Sequence, residues 1–100
     1  MSSELTGKQR RHLRALGHHL GAVLQIGHEG VTDAVVKQAD AQLEAHELIK
    51  IKVGERAPQD RHEAAGQLAE KCRAHLAQVL GRTALLYRRR KEKPAIVLPK

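Results

Sequence analysis

The chain has 100 residues, 41% of them apolar, and 18 Lys and Arg against 11 Asp and Glu give a formal net charge of +7. This length predicts one domain with a modest core, and no apolar run approaches the roughly 18 residues of a membrane span. The first residues lack the charged-then-apolar pattern of a secretory signal, and the single cysteine, Cys72, excludes an intrachain disulfide, so a cytoplasmic location is expected.

The first predicted helix covers about residues 7–19. Thr6 and Gln9 form a capping-box pattern that marks its start. On a helical wheel, four leucines share one side and are expected to enter the core, while a basic stripe lies opposite. The leucines are Leu5, Leu13, Leu16 and Leu20, and the stripe is Lys8, Arg11 and Arg14 with His18.

A short buried strand is predicted over residues 22–26, followed by the loop Gly27, His28, Glu29 and Gly30. Two glycines three residues apart form either a tight turn or a cradle for phosphate. Glycine permits positive φ and a close approach of phosphate, and a following helix N-terminus offers unpaired N–H groups. Glu29 argues against the cradle, because its carboxylate repels phosphate.

The second predicted helix has Thr32 as its N-cap and ends near residue 46, with Val36, Ala39 and Leu43 as its apolar face. Residues 48–53 alternate strictly, which predicts a strand with one covered face and with Lys50 and Lys52 on the other.

A loop over residues 54–59 precedes a third predicted helix, which Asp60 caps. Ala65, Leu68 and Cys72 mark the inner face of this helix. Residues 76–80 and 83–87 then flank Gly81 and Arg82, a spacing that fits a type II′ hairpin.

A basic segment begins at about residue 88, and a flexible tail is expected there. Residues 96–98 offer a short edge strand. The order α-β-α-β-α-β-β predicts an α/β fold, a two-layer sandwich of three helices on a mixed four-stranded sheet. Residues 1–100 form one domain in this interpretation.

The charge is uneven along the chain. Residues 1–20 carry four bases and one acid, residues 21–60 four bases and seven acids, and residues 61–100 ten bases and three acids. A polyanionic partner accounts for two basic ends, because Lys and Arg clusters bind phosphate chains and release their counterions. A solvated basic surface is the alternative.

Four separated blocks resemble the CRM family, the chloroplast RNA-splicing and ribosome-maturation domain, and above all its stand-alone bacterial YhbY-like members. The blocks are LTGKQRRHL at residues 5–13, GHEGVT at 27–32, AHELIKIK at 45–52 and QVLGRTALLYR at 78–88. The resemblance implies a fold related to KH domains and to the C-terminal domain of translation initiation factor three. It also implies noncatalytic RNA binding, association with precursors of the large ribosomal subunit, and RNA contact through the GxxG loop.

The predicted RNA-binding residues combine this loop with the basic positions. An ordinary solvated face remains the alternative for the helix stripe, and edge protection for the strand lysines. Replacing both loop glycines by bulkier residues is expected to weaken RNA binding while the fold survives. The full set is Gly27, His28, Glu29, Gly30, Lys8, Arg11, Arg14, Lys50, Lys52, Arg82, Arg88, Arg89 and Arg90.

Tyr87 is the only aromatic residue besides histidine. Recognition of single-stranded RNA bases relies on aromatic stacking. If Tyr87 lies in the core, the protein is expected to recognise the shape and backbone of RNA with little sequence specificity.

No catalytic or metal pattern is present in the sequence. The seven histidines lack an HExxH-like spacing, and no nucleophile is paired with a base. We therefore expect no enzyme activity, metal, cofactor or small-molecule substrate, and a monomer that binds ribosomal RNA or particles. The rival interpretation is a protein-binding adaptor whose partner faces the acidic second helix.

Overall fold

A computed structural model describes residues 4–100 and contains three helices and four strands in the predicted order α-β-α-β-α-β-β. No helix in this range is long and apolar enough to cross a bilayer. The helices are α1 (Gly7–Gly17), α2 (Asp33–His46) and α3 (Arg61–Lys71), and the strands are β1 (Ala22–Ile26), β2 (Leu48–Val53), β3 (His75–Leu80) and β4 (Thr83–Tyr87).

The sheet has the strand order β1-β2-β4-β3 and is mixed, as predicted. β1 pairs with β2 in parallel, whereas β4 is antiparallel to both of its neighbours. Gly81 begins the β3–β4 turn with φ of 58°, the sign that a type II′ turn requires. The Val53 N–H donates to the Arg82 carbonyl at 2.7 Å, so this turn lies at the end of the sheet where β1 and β2 finish.

Local side-chain caps begin all three helices where the sequence predicts them. Thr6 and Gln9 form the complete capping box, and the Thr32 hydroxyl accepts the Val35 N–H at 3.2 Å. The Asp60 carboxylate accepts two N–H groups at the start of α3, at 2.7 and 2.9 Å. These bonds lower the pKa of Asp60.

The main core lies between the sheet and the pair α2 and α3. Apolar side chains from β1, β2 and β4 meet the inner faces of both helices, and Cys72 is buried among them as expected. Its largest fully buried members are Ile26, Leu43, Ile49, Ile51, Leu68 and Leu86.

A second, smaller core on the opposite face changes the predicted layering. Leu13 of α1 packs there against Leu48, Leu85 and Tyr87. A Cβ on Gly17 would come within 2.6 Å of the Leu85 side chain, so α1 approaches the sheet closely. The helix therefore forms a third, partial layer, because the central strands carry apolar residues on both faces.

Two expectations about burial are wrong, those for Leu16 and Leu20 and for a buried β1, and the expectation of one covered face for β2 holds only beyond Leu48. Leu16 and Leu20 are 43% and 37% exposed, since α1 contacts the sheet mainly through Leu13 and Gly17. β1 is an edge strand with Val23 exposed, and β2 is covered on both faces at Leu48.

The C-terminal segment, residues 88–100, forms no strand, and the buried side chain of Glu47 binds it to the body of the domain. Glu47 Oε1 accepts the N–H groups of Ala95 and Ile96 at 2.7 and 2.9 Å, and Oε2 accepts the Arg90 N–H at 2.9 Å. Ile96 and Leu98 then pack on the second core. The carboxylate thus holds the tail against the sheet.

Burial alone would raise the pKa of Glu47. The three backbone donors, together with the positive charge of Arg90, outweigh this effect and leave the pKa of Glu47 below its ordinary value. The ionised carboxylate is therefore the form that stabilises the fold.

We expect Glu47→Gln to lower the free energy of unfolding at pH 7 by about 2 kcal/mol, because charge-assisted hydrogen bonds to buried backbone donors are lost. A lowered pKa contributes stability that is present above the ordinary value of 4.5 and is lost as the pH falls through the folded-state pKa. The difference in Tm between the two proteins should therefore shrink below about pH 4.5, as thermal denaturation followed by circular dichroism will show.

Glu70→Gln is the matched control, since Glu70 is exposed near the end of α3. It should leave Tm nearly unchanged at every pH. A constant difference in Tm between wild type and Glu47→Gln from pH 7 to pH 3 would contradict the assigned role of the charge.

Candidate nucleic-acid interface

The GxxG loop is a tight turn between β1 and α2. The Gly30 N–H donates to the Gly27 carbonyl at 2.9 Å, and the Thr32 N–H donates to the Gly30 carbonyl at 3.1 Å. Gly30 is buried with φ of 75°, and a Cβ there would lie 3.1 Å from Pro58. Nothing lies within 4 Å of a Cβ on Gly27. The two glycines therefore differ: Gly30 permits the turn, and Gly27 leaves an open surface.

The tip of the loop offers hydrogen-bond donors but no fixed positive charge. His28 and Glu29 are exposed, and no acceptor within residues 4–100 is bonded to their N–H groups. Asp33 lies in the first turn of α2 and is also exposed. Because both nearby carboxylates repel phosphate, positive charge for an anion has to come from neighbouring elements.

Three basic residues surround the loop at this end of the sheet. Lys52 pairs in register with Gln25 of β1 and is exposed, and Arg82 lies in the β3–β4 turn. Arg82 is 3.8 Å from the Glu55 carboxylate, an exposed pair that contributes little stability. Arg56, which the sequence analysis missed, belongs to the loop that contacts Gly30 through Pro58. Because β1 and β2 pair in parallel, the loops that follow these two strands lie at the same end of the sheet.

A groove of about 410 Å³ between α1 and the sheet holds two further predicted residues. Arg14 and Lys50 line it together with His18. Lys50 and Lys52 share a strand face and lie about 6.8 Å apart along β2. We call Arg14, Lys50 and Lys52 the basic track, which runs from α1 towards the GxxG loop.

Lys8 and Arg11 lie outside this track, towards the start of α1, where Gln9 donates to the Pro99 carbonyl at 3.0 Å. Both side chains are exposed. The predicted helix stripe is thus divided, and only Arg14 reaches the groove.

The structure places Arg88 and Arg90 away from the GxxG loop and binds both within the chain. Arg88 forms an ion pair with Asp40 and donates to the Cys72 carbonyl at 2.9 Å. Arg90 donates to the carbonyls of Ala45 and Lys93 at 3.2 and 2.9 Å. These guanidinium groups tie the tail to the ends of the helices, whereas the neighbouring Arg89 is exposed.

Tyr87 is buried, with 3% of its surface exposed, which confirms its expected place in the core. Its ring stacks on His75 with 6.3 Å between the ring centroids. Burial raises the pKa of its hydroxyl, as does the charge of Glu47. The ring is therefore not a platform for an exposed base.

No group of three His, Cys, Asp or Glu side chains in the described part of the chain is close enough to hold a metal ion. The features brought together at one end of the sheet are instead donors from the turn and the basic side chains of Lys52, Arg56 and Arg82, the last of which is paired with Glu55.

Comparison with known proteins bears on this arrangement. The model of the CRS1/YhbY (CRM) domain matches residues 5–88. The chain belongs to the CRM family. It is 43% identical over 95 residues to the "Probable RNA-binding protein YqeI" of Bacillus subtilis. The aligned region covers 95% of this chain and 99% of that one. It is 32% identical over 96 residues to an RNA-binding protein of Haemophilus influenzae, with 96% of each chain covered.

The fold of this CRM domain also matches a solved structure. The solution structure of the hypothetical protein SAV1595 from Staphylococcus aureus superimposes with a TM-score of 0.82 at 43% identity, over 95% of this chain and 99% of that one. The resemblance inferred from the four sequence blocks is therefore confirmed at the level of family and fold.

The different surroundings of the two loop glycines change the expected outcome of replacing both. Gly30→Ala should lower the free energy of unfolding by about 1–2 kcal/mol, because a side chain at positive φ is strained. Gly27→Ala should leave stability unchanged or raise it by up to about 1 kcal/mol, since the unfolded chain loses entropy.

Denaturant unfolding of the two single variants measures both effects, with each variant serving as the control for the other. Equal destabilisation by the two substitutions would contradict the assigned conformations. Gly27 is consequently the better position at which to block the loop without disturbing the fold.

Proposed function

We propose that this CRM-family protein binds the backbone of structured RNA without catalysis, through the GxxG loop and the basic track. The observation that carries the proposal is the convergence at one end of the sheet of a turn with unbonded N–H groups, the open surface at Gly27, and the exposed Lys52. The printed names of the relatives support RNA as the ligand.

The N–H groups of His28 and Glu29 bind phosphate oxygens at short range, and the start of α2 adds a partial positive charge. Arg14, Lys50 and Lys52 supply the attraction over longer distances that the loop, with its own Glu29, lacks. The role of the loop is therefore to position the RNA, while the basic track provides most of the affinity.

The burial of Tyr87 favours recognition of shape over sequence. The described surface has no Phe, Trp or Tyr ring on which a base can stack, so contacts to phosphate and sugar dominate. Ribosomal RNA in precursors of the large subunit is the target that the family resemblance favours, and sequencing of RNA crosslinked to the protein in cells tests that assignment.

A protein-binding adaptor is the second candidate. It depends on an acidic outer face of α2, but Asp40 of that face is ion-paired with Arg88, and Glu44 lies 4.0 Å from the same guanidinium. Less unpaired negative charge is therefore available to a protein partner than the sequence alone indicates.

Binding of a fluorescently labelled RNA hairpin, followed by anisotropy at increasing salt, should give a slope of log affinity against log salt of about −3 to −4, as expected for neutralising about five phosphates. Lys50→Ala and Lys52→Ala should each weaken binding about five- to tenfold and make the slope less steep by about 0.9.

Lys37→Ala is the matched control, because Lys37 is an exposed base on the outer face of α2, outside the basic track. Its affinity and slope should equal those of wild type. A flat salt response, or equal losses from the control and the track variants, would favour the adaptor.

A further inference from the structure

A second basic groove lies at the far end of the helical layer, where α2 and α3 finish. Its volume is about 440 Å³. Lys71, Arg73, Arg89 and Lys91 line it with exposed side chains, and the Arg88–Asp40 ion pair lies among them.

Most of the positive charge in this groove is unpaired. Arg88 is neutralised by Asp40, and Glu44 also faces that guanidinium at 4.0 Å. Within residues 4–100, no carboxylate lies within 4.0 Å of the charged groups of the four exposed bases. The charge of Lys71 has a partial structural explanation, because a cation is favourable in the last turn of a helix and Lys71 lies in the last turn of α3. The charges of Arg73, Arg89 and Lys91 have no such explanation.

Arg73 occupies a backbone position that favours glycine. Its φ is 55°, and the Ala74 N–H donates to the Ala69 carbonyl at 2.8 Å, the bond that closes a Schellman motif after α3. A residue with a side chain is strained in this conformation, so glycine would make the fold more stable. The guanidinium forms no ion pair or hydrogen bond with residues 4–100 that would compensate for the strain. Backbone strain that no internal contact compensates is typical of functional positions.

The groove lies beside the second half of α2, where Asp40 and Glu44 line it, whereas the GxxG loop precedes the start of this helix. At a rise of about 1.5 Å per residue, Asp40 and Glu44 lie about 10 and 16 Å along the helix axis from the first residue of α2. A short phosphate contact at the loop therefore leaves the groove free to take a different stretch of backbone.

We propose that the groove lined by Lys71, Arg73, Arg89 and Lys91 is a second binding site for RNA backbone, so that one molecule holds two RNA segments together. The proposal rests on the proposed function, since it assigns the first segment to the GxxG loop and the basic track. The sugar–phosphate backbone of RNA fits the groove because the four basic side chains are spread along an open surface, where Lys and Arg contact several phosphates in succession.

The experiment measures bridging. An RNA hairpin is immobilised on beads, the protein is added, and retention of a second, labelled copy of the hairpin is recorded. Wild type should retain the labelled hairpin. Arg73→Gly should lose most of that retention, keep its affinity for a single hairpin within about twofold, and raise Tm by about 4 °C. Rising stability with falling retention separates loss of a site from damage to the fold.

Lys37→Ala again removes one exposed charge and should retain the labelled hairpin as wild type does. If wild type binds one hairpin but retains no second, or if Arg73→Gly bridges as well as wild type, the second site is wrong and the proposed function stands. Bridging by a dimer of single-site molecules would give that latter result. If neither hairpin binds at all, both proposals fail.

Discussion

The carboxylate of Glu47 lies at the junction of α2 and β2, is fully buried, and accepts three backbone N–H groups from the C-terminal segment. Together with the hydrogen bond from Gln9 to the Pro99 carbonyl, this contact holds Ile96 and Leu98 on the second core, because the segment forms no strand of its own. The docking of the C-terminal segment therefore depends chiefly on one ionised group, and that group is most effective when the pKa of Glu47 stays low.

The same contact divides the basic tail into two functional classes. Arg88 and Arg90 turn towards helix ends and carbonyl oxygens, where they are used as structural donors. Arg89 and Lys91 remain exposed. The basic run at residues 88–91 looks uniform in the sequence, but two of its side chains bind within the chain and two are available to a partner. The net charge alone therefore overstates the basic surface.

Local signals explain why so much of the fold was predictable. Caps at Thr6, Thr32 and Asp60, alternation in β2 and glycine in the β3–β4 turn act over a few residues, and the structure follows them closely. The family was also predictable, since its four blocks lie in separate elements.

Contacts between distant segments were not predictable in the same way. The burial of Glu47 depends on the tail, the exposure of Leu16 depends on how α1 crosses the sheet, and the place of Arg56 beside the GxxG loop depends on the parallel pairing of β1 and β2. A single sequence does not encode these distances in any short pattern. The structure brings the GxxG loop and Lys52 to one end of the sheet, and it separates Lys8, Arg11, Arg88 and Arg90 from that loop; their roles in RNA binding stay predictions.

The ends of α2 and α3 show how a residue with positive φ can be interpreted. Glu47 and Arg73 both follow a helix with positive φ, at 64° and 55°, a sign of φ that favours glycine, although Glu47, with ψ of −43°, lies outside the left-handed helical region. The side chain of Glu47 compensates for the strain by binding the tail. Replacement by glycine would therefore lose more stability, through the missing hydrogen bonds, than the relief of strain would restore. Arg73 has no such internal contact. Both positions carry the strain of a positive φ, but only Glu47 gains an internal contact from its side chain. The function of Arg73 therefore has to be sought outside the chain.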